Sequence, residues 1–165
     1  MKDAYFAGGC FWCITPVFAE HEGVESVRCG YSGGEEENPA YEEVKHQETG
    51  HRESIRVRYD PEKVTYRTLL ELFLANVDPF DGKGQYIDRG HSYTLAVYFG
   101  DEKERAEAED SIVGLEVSSG KKVFVSLEPF TAFYDAEEYH QDYYRKNPEA
   151  FARELTESGR IGRGT

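Results

Sequence analysis

The sequence predicts an α+β fold, a two-layer sandwich with helices packed on a mixed or mostly antiparallel sheet. Three observations predict it. Strand-like and helix-like segments are interspersed without the regular alternation of a doubly wound sheet. Residues His51 to Asp60 alternate, with Ile55, Val57 and Tyr59 on one face and Ser54, Arg56 and Arg58 on the other, the pattern of a half-buried strand. Leu69, Leu72 and Phe73 form the apolar stripe of a helix over Thr65 to Asn76, which Thr65 can cap. A length of 165 residues without a linker or internal repeat predicts one domain over 1–165, with 158–165 a loose Gly-rich tail.

In chain order, Tyr5 to Gly8 reads as a short buried strand and Phe11 to His21 as a helix, with Pro16 in its early turns, where a missing N–H costs least. Val24 to Ser32 alternates and ends at Gly33-Gly34, so it reads as a strand. An acidic loop, Glu35 to Pro39, precedes a short helical turn over Tyr41 to Lys45. The half-buried strand follows and places Glu53 on its apolar side, an unusual position for a carboxylate. After the Thr65 helix comes Asp78 to Ser92, a long loop rich in Gly, Asp and aromatics, and loops of that length in compact domains are usually functional. Tyr93 to Phe99 is a strand, and Asp101 with Glu104 makes a capping box for a charged helix to about Leu115. Lys122 to Leu127 is a strand and Asp135 to Lys146 a helix. Asn147-Pro148 supplies the cap and first position of a last helix through about Thr156.

Composition removes several function classes. Charged residues are 31% and aromatics 14%, which describes a globular chain rather than a disordered one. Net charge is −13, from 32 acidic against 19 basic residues, a field that repels phosphate backbones and anionic lipid. Neither nucleic acid nor membrane is therefore an expected partner. No apolar run is long enough to span a bilayer. Three cysteines do not suit a secreted disulfide framework, and with no export signal the expected compartment is the reducing cytoplasm.

The chemistry concentrates in Gly8-Gly9-Cys10-Phe11-Trp12-Cys13, which holds two of the three cysteines and the only tryptophan. Cys10 falls at a strand-to-helix turn, where free backbone N–H groups and the helix dipole favour an anion. For a cysteine that anion is the nucleophilic thiolate. Both cysteines also read as small buried residues at a turn. Phe11 and Trp12, if exposed beside the thiol, suit an apolar group such as a methyl; equally they read as core aromatics. Burial pushes Glu53 toward the neutral acid, a proton donor near a nucleophile; a buried salt bridge with Arg52 or His51 is the alternative. Tyr41 and Tyr93 offer phenolic donors among 12 tyrosines, and Asp88 lies in the long loop.

The hexapeptide resembles the active-site signature of the A-type peptide methionine sulfoxide reductases. Gly30-Tyr31-Ser32-Gly33-Gly34, Asn38 to Val44, Thr49-Gly50-His51-x-Glu53, Asp78-Pro79 through Asp88-x-Gly90-x-x-Tyr93, and His140-Gln141-x-Tyr143 to Asn147-Pro148 are similar to further family blocks in order and spacing. The resemblance runs from about Ala4 to Pro148. It implies a ferredoxin-like plait and a thiol-based oxidoreductase that reduces methionine S-sulfoxide, free or in proteins. In that reaction Cys10 attacks the sulfur, Glu53 protonates the oxygen, and Tyr41 and Tyr93 hydrogen-bond it. Phe11 and Trp12 hold the S-methyl, and Asp88 acts through a water. Cys10 is left as a sulfenic acid that a second thiol condenses to a disulfide. Thioredoxin reduces that disulfide by exchange. The resemblance implies no cofactor, and a monomer is expected.

The chain departs from the family pattern in three places. Many members carry a resolving cysteine after the Tyr41 block, where this chain has Lys45, or near the C-terminus, where it has none; many have a glutamate where it has Thr15. The resolving thiol is then Cys13, favoured here, or Cys29, or an outside thiol. Two rivals remain: a thioredoxin-like oxidoreductase using Cys10 and Cys13 on protein disulfides, and a metal-binding module using cysteines and histidines. The poor strand–helix–strand alternation counts against the first. The lack of a second Cys-x-x-Cys or a His pair counts against the second.

Overall fold

A computed structural model describes residues 1–158 of the chain. Its sheet contains six strands: β1 (Lys2–Gly8), β2 (Val24–Ser32), β3 (Arg52–Tyr59), β6 (Leu95–Phe99), β7 (Val125–Pro129) and β8 (Phe133–Asp135). They lie in the order β7-β6-β1-β3-β2-β8. Every neighbouring pair is antiparallel except β6 and β7, which are parallel. The short strands β4 (Gly84–Gln85) and β5 (Asp88–Arg89) form a separate hairpin inside the long loop. The helices are α1 (Phe11–Ala19), α2 (Tyr41–Lys45), α3 (Tyr66–Ala75), α4 (Glu102–Ser119), α5 (Tyr143–Lys146) and α6 (Pro148–Ser158). The architecture is thus α+β with a mixed sheet.

Strand alternation assigns the two faces of the sheet. Phe6, Cys29, Tyr31, Ile55, Val57, Leu95 and Val97 point to one face and form a single core with Phe11, Ile14 and Phe18 of α1 and Leu69, Leu70 and Phe73 of α3. The rings of Phe6, Phe18 and Phe73 stack at 5.1 to 5.3 Å. The opposite face is thinner: Ala7, Ala96 and Tyr98 are covered by Tyr5 and Phe130, whose rings stack at 3.9 Å. Where β2 meets β8, Gly30 has no room for a side chain; a Cβ there would lie 2.4 Å from the Phe133 ring and from the Tyr134 carbonyl.

Helix ends follow the local chemistry. Thr65 Oγ1 accepts from Thr68 N at 3.1 Å, the predicted cap of α3. Asp101 Oδ1 accepts from Glu104 N at 2.8 Å, while Glu104 turns its carboxylate back to Gly100 N rather than to the cap residue. Helix α4 runs beyond Leu115 to Ser119 and stops at Gly120, whose φ of 71° is left-handed.

The predicted helix over Asp135 to Lys146 is not one helix. It divides into β8, a 3₁₀ turn at Glu138–His140 and α5. Gln141 explains the break. Its side chain accepts from Cys29 N at 2.8 Å and donates to Cys29 O at 2.9 Å and Ala136 O at 3.1 Å. The amide thus takes the place of a neighbouring strand on β2, a bond set that a surface helix would not make. Asp142, at φ 52°, then turns the chain into α5. The Gly-rich tail predicted over 158–165 lies, from residue 159, outside the described residues.

Candidate active site

The candidate residues converge on one end of the sheet. Strand β1 ends there at Gly8 and β6 begins there at Leu95, paired with Gly8. Strand β2 brings Tyr31 opposite Glu53 at the start of β3. Gly9, at φ 83°, turns the chain from β1 into α1, a conformation that favours glycine. Cys10 then occupies the cap position of α1, with φ −56° and ψ 117°, and its side chain makes no capping bond.

The cap is supplied from β3. Glu53 Oε1 accepts from Phe11 N at 3.1 Å, and Tyr93 also hydrogen-bonds the carboxyl. Glu53 is 2% exposed and makes no ion pair among the described residues. Burial pushes it up to about 8; the Asp88 and Cys13 charges push the same way, and the Phe11 and Tyr93 bonds only partly oppose them. At neutral pH it is mainly a neutral acid. The salt-bridge alternative fails because Arg52 points through the opposite face and His51 bonds the acidic loop. Arg52 Nη1 meets Glu128 at 2.7 Å and Tyr98 at 3.1 Å, and its Nε donates to Thr94 at 2.8 Å. His51 takes Gly34 N at 3.2 Å and holds the Glu36 carbonyl at 2.7 Å.

The resting Cys10 thiol differs from the sequence expectation. It is buried, and its proton is held: the hydrogen bond with Cys13, then burial, then the fields of Cys13, Glu53 and Asp88 all push it well above the ordinary thiol range. The helix N-terminus does not by itself deliver a thiolate. The site instead stores two protons, one on Cys10 and one on Glu53.

The remaining predicted residues surround this pair. Tyr41 and Tyr93 are half-buried, and burial followed by the Glu53 charge raises both phenols, so both remain donors. Asp88, on β5, lies within electrostatic reach of both Cys10 and Glu53. Trp12 is half-buried and stacks on Tyr143 at 3.9 Å. Phe11, by contrast, is 1% exposed and packs among Tyr31, Tyr41 and His140, so the two aromatics are not an exposed pair. Cys29 lies beneath α1, its sulfur 3.3 Å from Thr15 Oγ1 and 3.7 Å from the Phe11 carbonyl, and burial pushes it up to about 12.

Sequence reasoning gave no role to three residues that shape the site. Trp12 Nε1 donates to His140 Nδ1 at 3.0 Å. Indole is only a donor, so the proton of this buried, neutral imidazole sits on Nε2, which has no partner among the described residues. Glu137 accepts from Tyr31 Oη at 2.9 Å and Tyr41 N at 3.0 Å, fixing α2 against the turn that carries His140. Tyr143 is the stacking partner of Trp12. The ordered block His140-Gln141-x-Tyr143 was the available signal for this region. Among the described residues no group of three or more His, Cys, Asp or Glu is placed to hold a metal ion. No helix is long and apolar enough to cross a membrane.

Comparison with known proteins gives a concordant result. Residues 2–161 match the peptide methionine sulfoxide reductase family. The chain is 45% identical over 155 residues to peptide methionine sulfoxide reductase MsrA of Streptococcus equi subsp. equi, covering 93% of this chain and 92% of the relative. Among solved structures it resembles reduced Mxr1 of Saccharomyces cerevisiae, with TM-score 0.85, 29% identity and coverage of 90% and 86%. Methionine sulfoxide reductase A of Corynebacterium diphtheriae follows, with TM-score 0.79, 30% identity and coverage of 89% and 75%. Mxr1 in complex with Trx2 shares the fold, at 20% identity, TM-score 0.59 and coverage of 84% and 83%.

Proposed function

The chain belongs to the peptide methionine sulfoxide reductase family, and from that premise we propose that it reduces methionine S-sulfoxide, free or in proteins, with Cys10 as nucleophile. The observation that carries the reading is Glu53, a buried carboxyl with no cation partner among the described residues, bonded by Phe11 N and Tyr93 beside the Cys10 thiol. It supplies a proton at neutral pH where a paired glutamate could not.

The sulfoxide enters with its oxygen toward Glu53, Tyr41 and Tyr93, and its methyl against the half-buried Trp12 ring; Phe11, packed beneath Tyr41 and His140, supports that wall from behind. Glu53 gives its proton to the oxygen as the Cys10 sulfur attacks the substrate sulfur. The carboxylate so formed takes the proton leaving Cys10. The hydroxyl passes to the Cys10 sulfur, giving a sulfenic acid, and methionine departs reduced by two electrons. Asp88 holds a water near this proton path.

A second thiol then displaces the hydroxyl from the sulfenic sulfur, forming a disulfide and releasing water. Cys13 is the resolver we assign. Residues three apart inside a helix have Cβ atoms about 5–6 Å apart, against about 3.5–4.5 Å in a disulfide. Cys10, however, is the cap residue, with non-helical backbone angles, and Cys13 the third helical residue, so the spacing of two residues inside a regular helix does not apply to the pair. The two thiols are already hydrogen-bonded. Pro16, at the sixth helical position rather than in the first turn, has no N–H for the Trp12 carbonyl, which eases distortion of the opening turn. Cys29 is held away by Thr15 and the Phe11 carbonyl.

Thioredoxin is the proposed reductant, supported by the fold shared with Mxr1 in its Trx2 complex. We further propose one catalytic domain, monomeric and cytoplasmic. Its four central strands, in the order β6-β1-β3-β2 with crossovers through α1 and α3, support a plait of the ferredoxin kind. The test is turnover of separated methionine S- and R-sulfoxides with thioredoxin, thioredoxin reductase and NADPH. Sulfoxide-dependent NADPH oxidation with the S epimer, lost in Cys10→Ser, is the expected result. Reduction of insulin disulfides with neither sulfoxide turned over would overturn the reading.

A further inference from the structure

A cavity of about 590 Å³ opens beside the site, lined by Asn38, Pro39 and Ala40 on one side and Phe133, Tyr134, Asp135 and Glu137 on the other. It adjoins the catalytic end directly. Ala40 immediately precedes Tyr41, and Glu137 Oε2 accepts from Tyr41 N at 3.0 Å.

The charges on its walls are unequal. Asp135 is neutralised by Arg28 at 3.0 Å and Arg56 at 3.9 Å. Glu137 is not. Its bonds come from neutral donors, Tyr31 Oη, Tyr41 N and its own backbone N–H, and no Lys or Arg lies within ion-pair distance of it among the described residues. Those bonds hold its carboxyl below the usual range against partial burial, so it is ionised at neutral pH. Lys45 stands over the Tyr41 ring at 5.7 Å instead of on this carboxylate. Glu35 and Glu37, exposed in the acidic loop that leads into the Asn38–Ala40 wall, also make no ion pair among the described residues. The cavity thus joins one carboxylate without an ion pair among the described residues to the Tyr134 ring, a setting that attracts ammonium or guanidinium groups; the Phe133 ring already carries the Arg56 guanidinium at 5.6 Å and adds apolar wall only.

Resting on the proposed reductase function, we infer that this cavity is a subsite for a flanking residue of the protein substrate, and that it selects Lys or Arg near the methionine sulfoxide and disfavours Asp or Glu. The cavity adjoins Tyr41 through Ala40 and Glu137, and three residues of an extended chain span about 10 Å, so its occupant is a residue within a few positions of the sulfoxide. Phosphorylated or acidic segments are the corresponding poor substrates, since like charges across a contact repel.

The test uses the full chain with dithiothreitol as reductant, so that thioredoxin docking plays no part. Substrates are N-acetyl-methionine S-sulfoxide, which has no flanking residues, and blocked pentapeptides Ala-Ala-Met(O)-Ala-Ala in which one alanine at a time becomes Lys or Glu. At one flanking position or more, kcat/KM for Lys should exceed that for Glu by about tenfold, equivalent to about 1.4 kcal/mol. Glu137→Gln should bring that ratio close to one. Because Glu137 also holds Tyr41, a second variant serves as an independent check: Ala40→Lys, at an exposed position with extended backbone, should invert the preference. Equal kcat/KM for Lys and Glu peptides, with N-acetyl-methionine S-sulfoxide turned over normally, would overturn this inference alone. A preference unchanged in both variants would also overturn it, by placing its origin in the general acidic field. Failure to turn over any sulfoxide would instead remove the reductase reading beneath it.

Discussion

Arg52 and Glu53 are adjacent on one strand, both buried and both ionisable, and they face opposite sides of the sheet. Arg52 meets a complete set of partners in Glu128, Tyr98 and Thr94, and its charge is held. Among the described residues Glu53 meets only neutral donors, and burial raises it to about 8. The difference shows how one strand supports structure on one face and chemistry on the other. A buried charge that is fully paired is locked. A buried acid left without a cation keeps its proton and can deliver it. The spare thiols repeat the contrast. Cys29 is satisfied by Thr15 and a backbone carbonyl, whereas Cys13 bonds the thiol it is proposed to capture.

The strongest way to break the comparison is to remove the proton without removing the shape. Glu53→Gln should slow single-turnover methionine release by about 10²–10⁴-fold, the usual worth of a positioned acid, while leaving the fold in place by circular dichroism. Cys13→Ser should release about one methionine per chain and then stop under thioredoxin recycling, measured by quench-flow against steady-state NADPH oxidation. If it recycles at the parent rate, another thiol is the resolver.

Arg52→Met should do the opposite of Glu53→Gln. It strands Glu128, which keeps some access to water, so the cost should be about 2 kcal/mol, less than the roughly 3–5 kcal/mol of a fully buried pair. That would lower the melting temperature by about 4–8 °C, with methionine release per folded molecule within about twofold. A large loss of release at unchanged stability would place Arg52 in the reaction. The stability of Glu53→Gln relative to the parent should also drift with pH. The folded pKa of Glu53 lies above its unfolded value, so its contribution is fully present below about pH 4.5 and lost as pH rises through about 8. Glu53→Gln should therefore gain on the parent in denaturant titrations between pH 5 and pH 9. The smallest effect belongs to Cys29→Ser, which keeps a small polar group facing Thr15 and should change recycling by less than about twofold, consistent with a thiol pushed up to about 12.

The face assignment of Glu53 was legible because strand periodicity is strict: two residues from Ile55 and four from Val57, it had to share their side. Thr65 and Asp101 were legible as caps because those bonds are local. What was not legible depended on contacts remote in sequence. Nothing near Gln141 announces that its amide will bond both backbone groups of Cys29, and that bond set ends the helix predicted across it. Phe11 looked capable of facing solvent until Tyr31, Tyr41 and His140 closed over it. The Cys10 thiol was read from the helix dipole alone, and the groups that hold its proton come from β3, β5 and the next helical turn. The ordered motif blocks located the site more completely than its residue chemistry could, including Tyr143, but gave Glu137 and His140 no task.

The central claim is that the competent site holds both protons, one on Glu53 and one on Cys10. Rapid-quench measurement of methionine release in a single turnover, from pH 6 to pH 10, tests it most directly. The expected rate is level near neutrality and falls as pH rises through about 8, where Glu53 ionises. A rate that instead climbs through that range would show that thiolate formation, and not the neutral acid, governs the step, and would contradict the account.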